Sequence, residues 1–351
     1  MTRNHTLIDA GLAAFRLTGL DRALRPATRG VGAILAFHRV RPWRPAAEGY
    51  APNRALEITP EFLDQALRLT GRLGYEFVSL SEVRRRLLNG TDRPFAALTF
   101  DDGYRDVLAY AVPILKRYGA PFTLFLAVGF LDRSARLWWL ELEEAVRRVD
   151  AIDIDCGGLR IACDTRTVEA KSAAFERIYW ALRARPEGEL LTAIERFAEE
   201  ARVDRQALYA DLFIDWNEAR ALAQNPLVEV GAHGVTHRRL AHWPLAEARA
   251  EMTRSKTLLE ESLRTPVHHF AFPVGDSTSA GPREFALAKE VGFVTAVTTR
   301  PGVVSAAHAD HLWALPRVSV NGLWQRERAL ETLLSGAPFA LANRGRRLDV
   351  S

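Results

Sequence analysis

The chain has 351 residues, of which 48% are hydrophobic, enough for one large α/β domain or two ordinary ones. Its 47 basic and 43 acidic residues leave a formal net charge of +4, and so small a surplus argues against a nucleic-acid-binding surface. No segment approaches the roughly 20 apolar residues of a membrane span, and no signal-peptide core is found, so we expect a cytoplasmic protein.

Residues 1–30 predict an N-terminal helical segment with Ile8, Leu12, Phe15 and Leu20 near one face. We expect this face to pack against the rest of the protein. Peripheral contact with a membrane surface is the alternative.

Short apolar runs then alternate with amphipathic helical patterns, which is typical of βα units and a parallel sheet. The strand candidates are Ile34–Phe37, Phe77–Ser79, Ala96–Phe100, Phe122–Leu126, Val228–Val230, His269–Phe272, Val294–Val297 and Pro316–Val320. This number predicts a distorted (β/α) barrel of about seven to eight strands, built from residues 31–140 and 211–322.

Two of the helices between these strands carry clear boundary signals. Thr59 is placed to cap a helix that has Pro60 at its first position. Another helix is expected from about Arg105 to Gly119, where Pro113 predicts a kink or a late start.

Residues 141–210 are charged, rich in alanine and mostly helical in pattern, which predicts a helical insertion in the barrel. A small hairpin between Ile152 and Ile161 is the alternative for one part of it. Residues 323–351 are expected to form a C-terminal helix and tail.

The two cysteines, Cys156 and Cys163, lack the further Cys or His pair of a structural zinc site. We expect free thiols, with a single small disulfide left open.

One strand runs directly into Asp101, Asp102, Gly103 and Tyr104. An Asp pair before Gly is, taken alone, most often a turn. Another strand opens into His233 and His237, and histidines four positions apart can face one point, although surface pairs with this spacing are common.

Together the two segments are more specific. Two imidazoles and one carboxylate would hold a metal with open coordination positions, and the second carboxylate could take a proton from a metal-bound water.

A third segment, Phe270–Asp276, ends another strand in a Pro-Gly turn that is, by itself, an ordinary βα loop. Parallel barrel strands all end at one face, where active sites are assembled. Asp101, His233, Pro273 and His38 all follow strands, so we expect them at that face.

The Thr-Phe-Asp-Asp-Gly run, the His-x-x-x-His pair and the Phe-Ala-Phe-Pro-Val-Gly turn resemble those of the polysaccharide deacetylases with a NodB-homology domain, carbohydrate esterase family 4. The resemblance covers roughly residues 33–140 and 214–321. It implies Asp101 as general base, Asp102, His233 and His237 as ligands of Zn²⁺, or of Co²⁺ or Ni²⁺, and the Val274 N–H, beside Pro273, at the oxyanion.

Three departures from the family pattern affect the site. Gly234 stands where the family has Ser or Thr, so a supporting hydrogen bond is missing or comes from Thr236. Ala271 replaces the arginine that pairs with the catalytic Asp, and Arg317 is the candidate substitute, unless it is a structural surface arginine.

The third departure concerns the family's Leu-x-Leu-His element, which is absent near the C-terminus. A similar run ends at His38, which suggests a circularly permuted order like that of the poly-N-acetylglucosamine deacetylases of exopolysaccharide export. His38 is then the candidate general acid, with a structural histidine as the alternative.

These features predict a hydrolase that removes N-acetyl groups from an N-acetylated oligo- or polysaccharide and releases acetate. The alternatives are a 2-His-1-carboxylate iron oxygenase and a barrel that binds carbohydrate without turnover. We expect one or two aromatic side chains to line the substrate groove, from the candidates Trp138, Trp139, Tyr104 and Trp313.

Overall fold

The computed structural model describes residues 11–350 apart from 12, 16, 44–48 and 347. Two of the residues predicted on the N-terminal helical face, Ile8 and Leu12, therefore lie outside the described residues. The described part of that segment includes helix α1, Leu20–Thr28, which contacts the C-terminal helix Ala337–Ala342.

All eight predicted strands are present: Phe122–Leu126 has the predicted bounds, and the other boundaries shift by at most four residues. The strands of the described chain are β1 (Gly32–Phe37), β2 (Arg39–Val40), β3 (Glu57–Ile58), β4 (Glu76–Val78), β5 (Phe95–Phe100), β6 (Phe122–Leu126), β7 (Ala151–Asp155), β8 (Arg160–Asp164), β9 (Val228–Ala232), β10 (His269–Ala271), β11 (Thr295–Pro301) and β12 (Leu315–Ser319).

Seven parallel strands close into a barrel in the order β1, β12, β11, β10, β9, β6, β5, and β5 pairs back onto β1 along its whole length. The eighth strand of this sheet, β4, pairs with the first half of β5. Strands β1, β5 and β6 are buried at every position, which explains why they are continuous apolar runs without alternation. The predicted barrel is confirmed.

The helices after α1 surround the barrel and build the inserted segment. They are α2 (Pro60–Arg72), α3 (Leu80–Asn89), α4 (Val112–Tyr118), α5 (Val128–Leu131), α6 (Trp138–Arg148), α7 (Val168–Arg183), α8 (Glu187–Glu200), α9 (Arg205–Leu212), α10 (Trp216–Ala223), α11 (Leu245–Leu263), α12 (Pro282–Glu290), α13 (Glu327–Leu334) and α14 (Ala337–Ala342). Within the described residues, no helix is both long enough and apolar enough to cross a membrane.

The predicted helix boundaries have identifiable causes. The Thr59 hydroxyl accepts a hydrogen bond from the Phe62 N–H at 3.1 Å, as expected of a cap. The helix expected from Arg105 does begin there, but residues 107–111 form a π-helical turn and the regular α-helix resumes at Val112. Pro113 therefore lies where the helix changes its hydrogen-bonding pattern, not at its start.

The inserted segment is not wholly helical, which corrects that part of the prediction. Strands β7 and β8 form an antiparallel hairpin, the alternative left open between Ile152 and Ile161. In β7 every second side chain is buried, including Ile154, and this two-residue period overrides the helical composition around it. Cys156 and Cys163, which belong to this hairpin region, are free thiols.

Candidate metal centre

The two adjacent aspartates point in different directions because the chain turns sharply after β5. Asp102 has a φ of 72° and Gly103 a φ of 78°, both in the left-handed region. A Cβ on Gly103 would lie 2.8 Å from a methyl group of Leu126, so the turn requires glycine. Asp101 stays in line with β5, and its N–H donates to the Phe37 carbonyl of β1 at 3.0 Å.

Asp102, His233 and His237 come together at the carboxyl ends of the strands. The Oδ1 atom of Asp102 lies 3.5 Å from Nε2 of His233 and 3.4 Å from Nε2 of His237. All three side chains are buried, and this oxygen has no hydrogen-bond partner among the described residues.

A divalent ion fits this arrangement. Bonds of about 2.1 Å to a tetrahedral zinc ion would place ligand atoms about 3.4 Å apart. A cation would also satisfy the otherwise unpaired Oδ1 oxygen, which is costly to bury alone. Asp102, His233 and His237 therefore form a candidate metal centre, as the sequence predicted.

The surroundings of the two histidines prepare Nε2 for a metal. His233 donates from Nδ1 to the Ala271 carbonyl at 2.7 Å, which fixes the tautomer with its Nε2 lone pair free. Burial lowers the pKa of His237 to about 4, so this imidazole is neutral near pH 7. Burial also disfavours charge on His233, but the negative charges of the nearby Asp102 and Asp101 carboxylates outweigh it and raise the pKa of His233.

Arg317 holds Asp101 in a buried, bidentate ion pair. Its two terminal nitrogens donate to Oδ1 at 2.8 Å and to Oδ2 at 2.7 Å, and one of them also donates to the Thr99 hydroxyl at 3.1 Å. Burial would raise the pKa of Asp101, but the guanidinium outweighs burial and keeps the pKa below its ordinary value. Arg317 is 1% exposed, which excludes the surface-arginine alternative.

His38 faces the same carboxylate from the end of β1. Its Nε2 atom lies 4.0 Å from Oδ2 of Asp101, and a quarter of the side chain is exposed. The ring therefore has access both to the site and to solvent, as a proton donor for a leaving group would need.

These residues line one cavity of about 200 Å³ at the carboxyl face of the barrel. Its walls are formed by His38, Pro52, Asn53, Ala55, Leu56, Asp101, Asp102, Trp139, Phe175, Tyr179, Arg183, His233, His237, Val274 and Thr299. Trp139 is the one aromatic candidate from the sequence that lines the cavity. Trp138 packs behind it, and Trp313 donates to the Phe293 carbonyl elsewhere.

The structure does not place Tyr104 or Pro273 on the cavity wall. Tyr104 is 1% exposed and stacks on Phe213 at 5.0 Å, because the turn at Asp102 directs it into the core. Pro273 is buried, and its carbonyl accepts from the Gly275 N–H at 2.7 Å, so it shapes the turn rather than facing substrate.

Val274 does line the cavity, at a φ of 61°. Among the described residues no oxygen accepts a hydrogen bond from its N–H. The Thr299 hydroxyl donates to the Val274 carbonyl at 2.7 Å and fixes this turn. A free N–H on a fixed turn suits an oxyanion.

Thr236 does not supply the hydrogen bond that Gly234 lacks. Its hydroxyl donates to Glu251 at 2.7 Å, and the same carboxylate accepts from the Val235 N–H at 3.0 Å. Glu251, from α11, thus braces the turn before His237. No sequence motif predicts this role.

The sequence analysis also missed the side of the cavity formed by α7. Phe175, Tyr179 and Arg183 stand four residues apart, and this spacing was the available sign that they share one helix face. Arg183 pairs with Asp276 at 2.5 Å and so connects the inserted segment to the Val274 turn.

Comparison with known proteins agrees with this geometry. A family model described as polysaccharide deacetylase matches residues 89–156 and 173–295, more than half of the chain. No curated protein sequence matches.

Solved structures share the fold. The Streptococcus pyogenes deacetylase PplD, solved in complex with acetate, is 20% identical with a TM-score of 0.52 over 86% of this chain and 97% of its own. IcaB from Ammonifex degensii is 16% identical with a TM-score of 0.54 over 87% and 97%. A de-N-acetylase from Aggregatibacter actinomycetemcomitans is 15% identical with a TM-score of 0.50 over 83% and 95%. With the family match and the barrel in agreement, the chain belongs to the polysaccharide deacetylase family.

Proposed function

We propose that this protein is a metal-dependent N-deacetylase that hydrolyses the acetamide of an N-acetylated amino-sugar glycan and releases acetate. One observation carries the proposal: the Asp101 carboxyl group lines the cavity and is held by Arg317, beside three side chains that suit a metal. The barrel that this chain shares with PplD, solved with acetate, and with a de-N-acetylase supports it.

Asp102, His233 and His237 would hold the ion, and zinc suits this donor set best, with cobalt and nickel as alternatives. A bound divalent ion supplies Lewis acidity at the acetamide carbonyl and lowers the pKa of a water.

The chain's own residues then act on protons and charge. The Asp101 carboxylate accepts the proton of the attacking water. The Val274 N–H donates to the acetamide oxygen as it gains negative charge. His38 gives a proton to the departing amine nitrogen, so that a free amino sugar and acetate are formed.

Two other functions remain less well supported. An iron oxygenase has no use for a free carboxylate such as Asp101 beside the three ligands. A barrel that binds glycan without turnover was suggested by Ala271, but Arg317 makes the ion pair with Asp101 that the missing arginine would make.

Acetate release from a panel of N-acetylated glycans, with zinc present, tests the proposal. Asp101→Asn should lower kcat by roughly 10²- to 10⁴-fold, the usual contribution of general base catalysis. The matched control is zinc content, which should not change in this variant. Acetate release that Asp101→Asn leaves intact would contradict the assignment, and glycan binding with no acetate from any substrate would favour the binding barrel.

A cytoplasmic location stays a prediction, and it would favour an oligosaccharide or a precursor as substrate.

A further inference from the structure

Helix α1 is amphipathic, but its polar face points toward the rest of the protein. Asp21, Arg25 and Thr28 recur every three to four residues and so share this inner face. Asp21 is 1% exposed, and the Thr332 hydroxyl donates to its Oδ2 atom at 2.9 Å. The Arg25 guanidinium donates to the Leu73 carbonyl at 2.9 Å. The contacts that hold α1 in place are therefore polar.

The apolar face of α1 points to solvent. A single helical stripe contains Leu20, Ala23, Leu24 and Ala27, and all four side chains are exposed. A surface helix normally packs such a stripe against the core. Of the predicted N-terminal apolar face, Phe15 is buried as expected, whereas Leu20 is exposed. The stripe is thus left without a partner among the described residues.

Two more leucines lie exposed nearby. Leu17, just before α1, is 89% exposed, and Leu341 is 70% exposed on α14, which contacts α1. The Thr28 hydroxyl donates to the Ser335 carbonyl at 2.6 Å and fixes α1 beside the chain that leads into α14. We call the exposed side chains of Leu17, Leu20, Leu24 and Leu341 the leucine face. Exposed apolar surfaces of this kind mark interaction sites.

Arginines border the leucine face. Arg346 lines a cavity of about 240 Å³ together with Ala27, and Arg344 lies two residues before it. Both arginine side chains are exposed. Glu331 already pairs with Arg22 of α1, at 3.3 Å, so it does not balance these two charges. The border of the leucine face therefore carries an excess of positive charge.

An aliphatic face bordered by arginines matches the surface of an anionic membrane. Leucine side chains enter the boundary of the acyl chains, and guanidinium groups contact the lipid phosphates. A second copy of this chain fits less well, because a two-fold contact would bring the same arginines of both copies together. Docking would leave the metal centre free, since α1 leads into the amino end of β1 and the catalytic cavity lies at the carboxyl ends of the strands.

We propose that α1 and α14 dock this protein reversibly on an anionic lipid surface. Leu20 and Leu24 enter the membrane interface, and Arg344 and Arg346 contact the lipid headgroups. Both helices lie outside the residues that the family model matches, so the family model does not account for this surface. The proposal does not depend on the catalytic activity of the barrel.

Sedimentation with lipid vesicles tests the proposal. The wild type should bind vesicles of equal parts phosphatidylcholine and phosphatidylglycerol, and should bind vesicles of phosphatidylcholine alone roughly tenfold more weakly. Leu20→Gln/Leu24→Gln should lower the binding constant for the mixed vesicles roughly tenfold, because two apolar side chains are lost from the interface. The matched control is Leu88→Gln, which changes a leucine that is 49% exposed on α3 and should bind as the wild type does.

A second variant separates charge from apolar burial. Arg344→Gln/Arg346→Gln should weaken binding to the mixed vesicles roughly tenfold and leave the weak binding to phosphatidylcholine unchanged. The melting temperature of each variant shows that it is folded, and all the changed side chains are exposed.

The proposal is overturned if the wild type binds neither kind of vesicle, or if binding does not depend on Leu20 and Leu24. A concentration-dependent dimer, measured by light scattering, that Leu20→Gln/Leu24→Gln dissociates would assign the leucine face to a second copy. Vesicle binding that appears only when residues 1–10 are deleted would assign it to that segment. Either assignment also overturns the proposal.

Discussion

Arg317, on the last barrel strand, donates both terminal nitrogens to the two oxygens of Asp101, which follows β5. Both side chains are almost fully buried, so each charge is compensated chiefly by the other. The pair keeps the proposed base ionised and aimed at the cavity.

Removal of this arginine should therefore destabilise the fold. Arg317→Met should lower the free energy of unfolding by roughly 3–5 kcal/mol, because Asp101 is left as a buried, uncompensated charge. Urea denaturation measures the loss. In the double variant Asp101→Asn/Arg317→Met most of it should be recovered, and losses that simply add would show that the two residues are not coupled.

Metal removal should lower the melting temperature of the wild type. A metal at a hundredfold excess over its Kd stabilises the folded state by about 2.7 kcal/mol. Asp102→Ala should abolish most of the shift between zinc-loaded and chelator-treated protein, whereas Asp101→Asn should keep it. Equal zinc content in Asp102→Ala and in the wild type would rule out this ligand set.

His38 should matter most when the leaving group is poor. His38→Ala should slow deacetylation of an amide by roughly 10²- to 10⁴-fold, because an amine must be protonated as it departs. An activated aryl acetate, whose leaving group needs no proton, should lose much less. Equal losses on both substrates would assign His38 a structural role instead.

His308 should make the stability of the fold dependent on pH at a distance from the site. Its side chain is 1% exposed, its Nδ1 accepts from the Ser305 N–H at 3.0 Å, and burial lowers its pKa to about 4. As the pH falls, His308 is protonated in the unfolded chain before it is protonated in the folded protein. The free energy of unfolding should therefore fall by up to about 3 kcal/mol between about pH 6.5 and pH 4.

His308→Asn keeps a hydrogen-bond acceptor but does not titrate. The difference in unfolding free energy between wild type and variant should therefore shrink as the pH falls through this window. A difference that stays constant from pH 7 to pH 4 would show that His308 is not responsible.

The barrel and the metal ligands were predictable because their signals are local. Runs such as Phe95–Phe100 are apolar at every position since both faces are buried. Tyr104 was misplaced because sequence proximity to Asp102 says nothing about the left-handed turn that sends its ring into the core.

The contribution of the inserted segment was harder to predict. Tyr179 and Arg183 reach the cavity through the packing of α7, which no motif records. The contact of Arg317 with Asp101 depends on the strand order, and that order is fixed only when β12 and β5 flank β1.

That strand order has a consequence for synthesis on the ribosome. The barrel closes by inserting β1, the earliest of its strands to be made, between β5 and β12, the latest. A nascent chain that has not yet released Leu315–Ser319 would expose one edge of β1 and carry Asp101 without its guanidinium. Hydrolytic activity should thus arise in a single late step, once β12 has been released. An N-terminal fragment that ends before Leu315 should lack this activity.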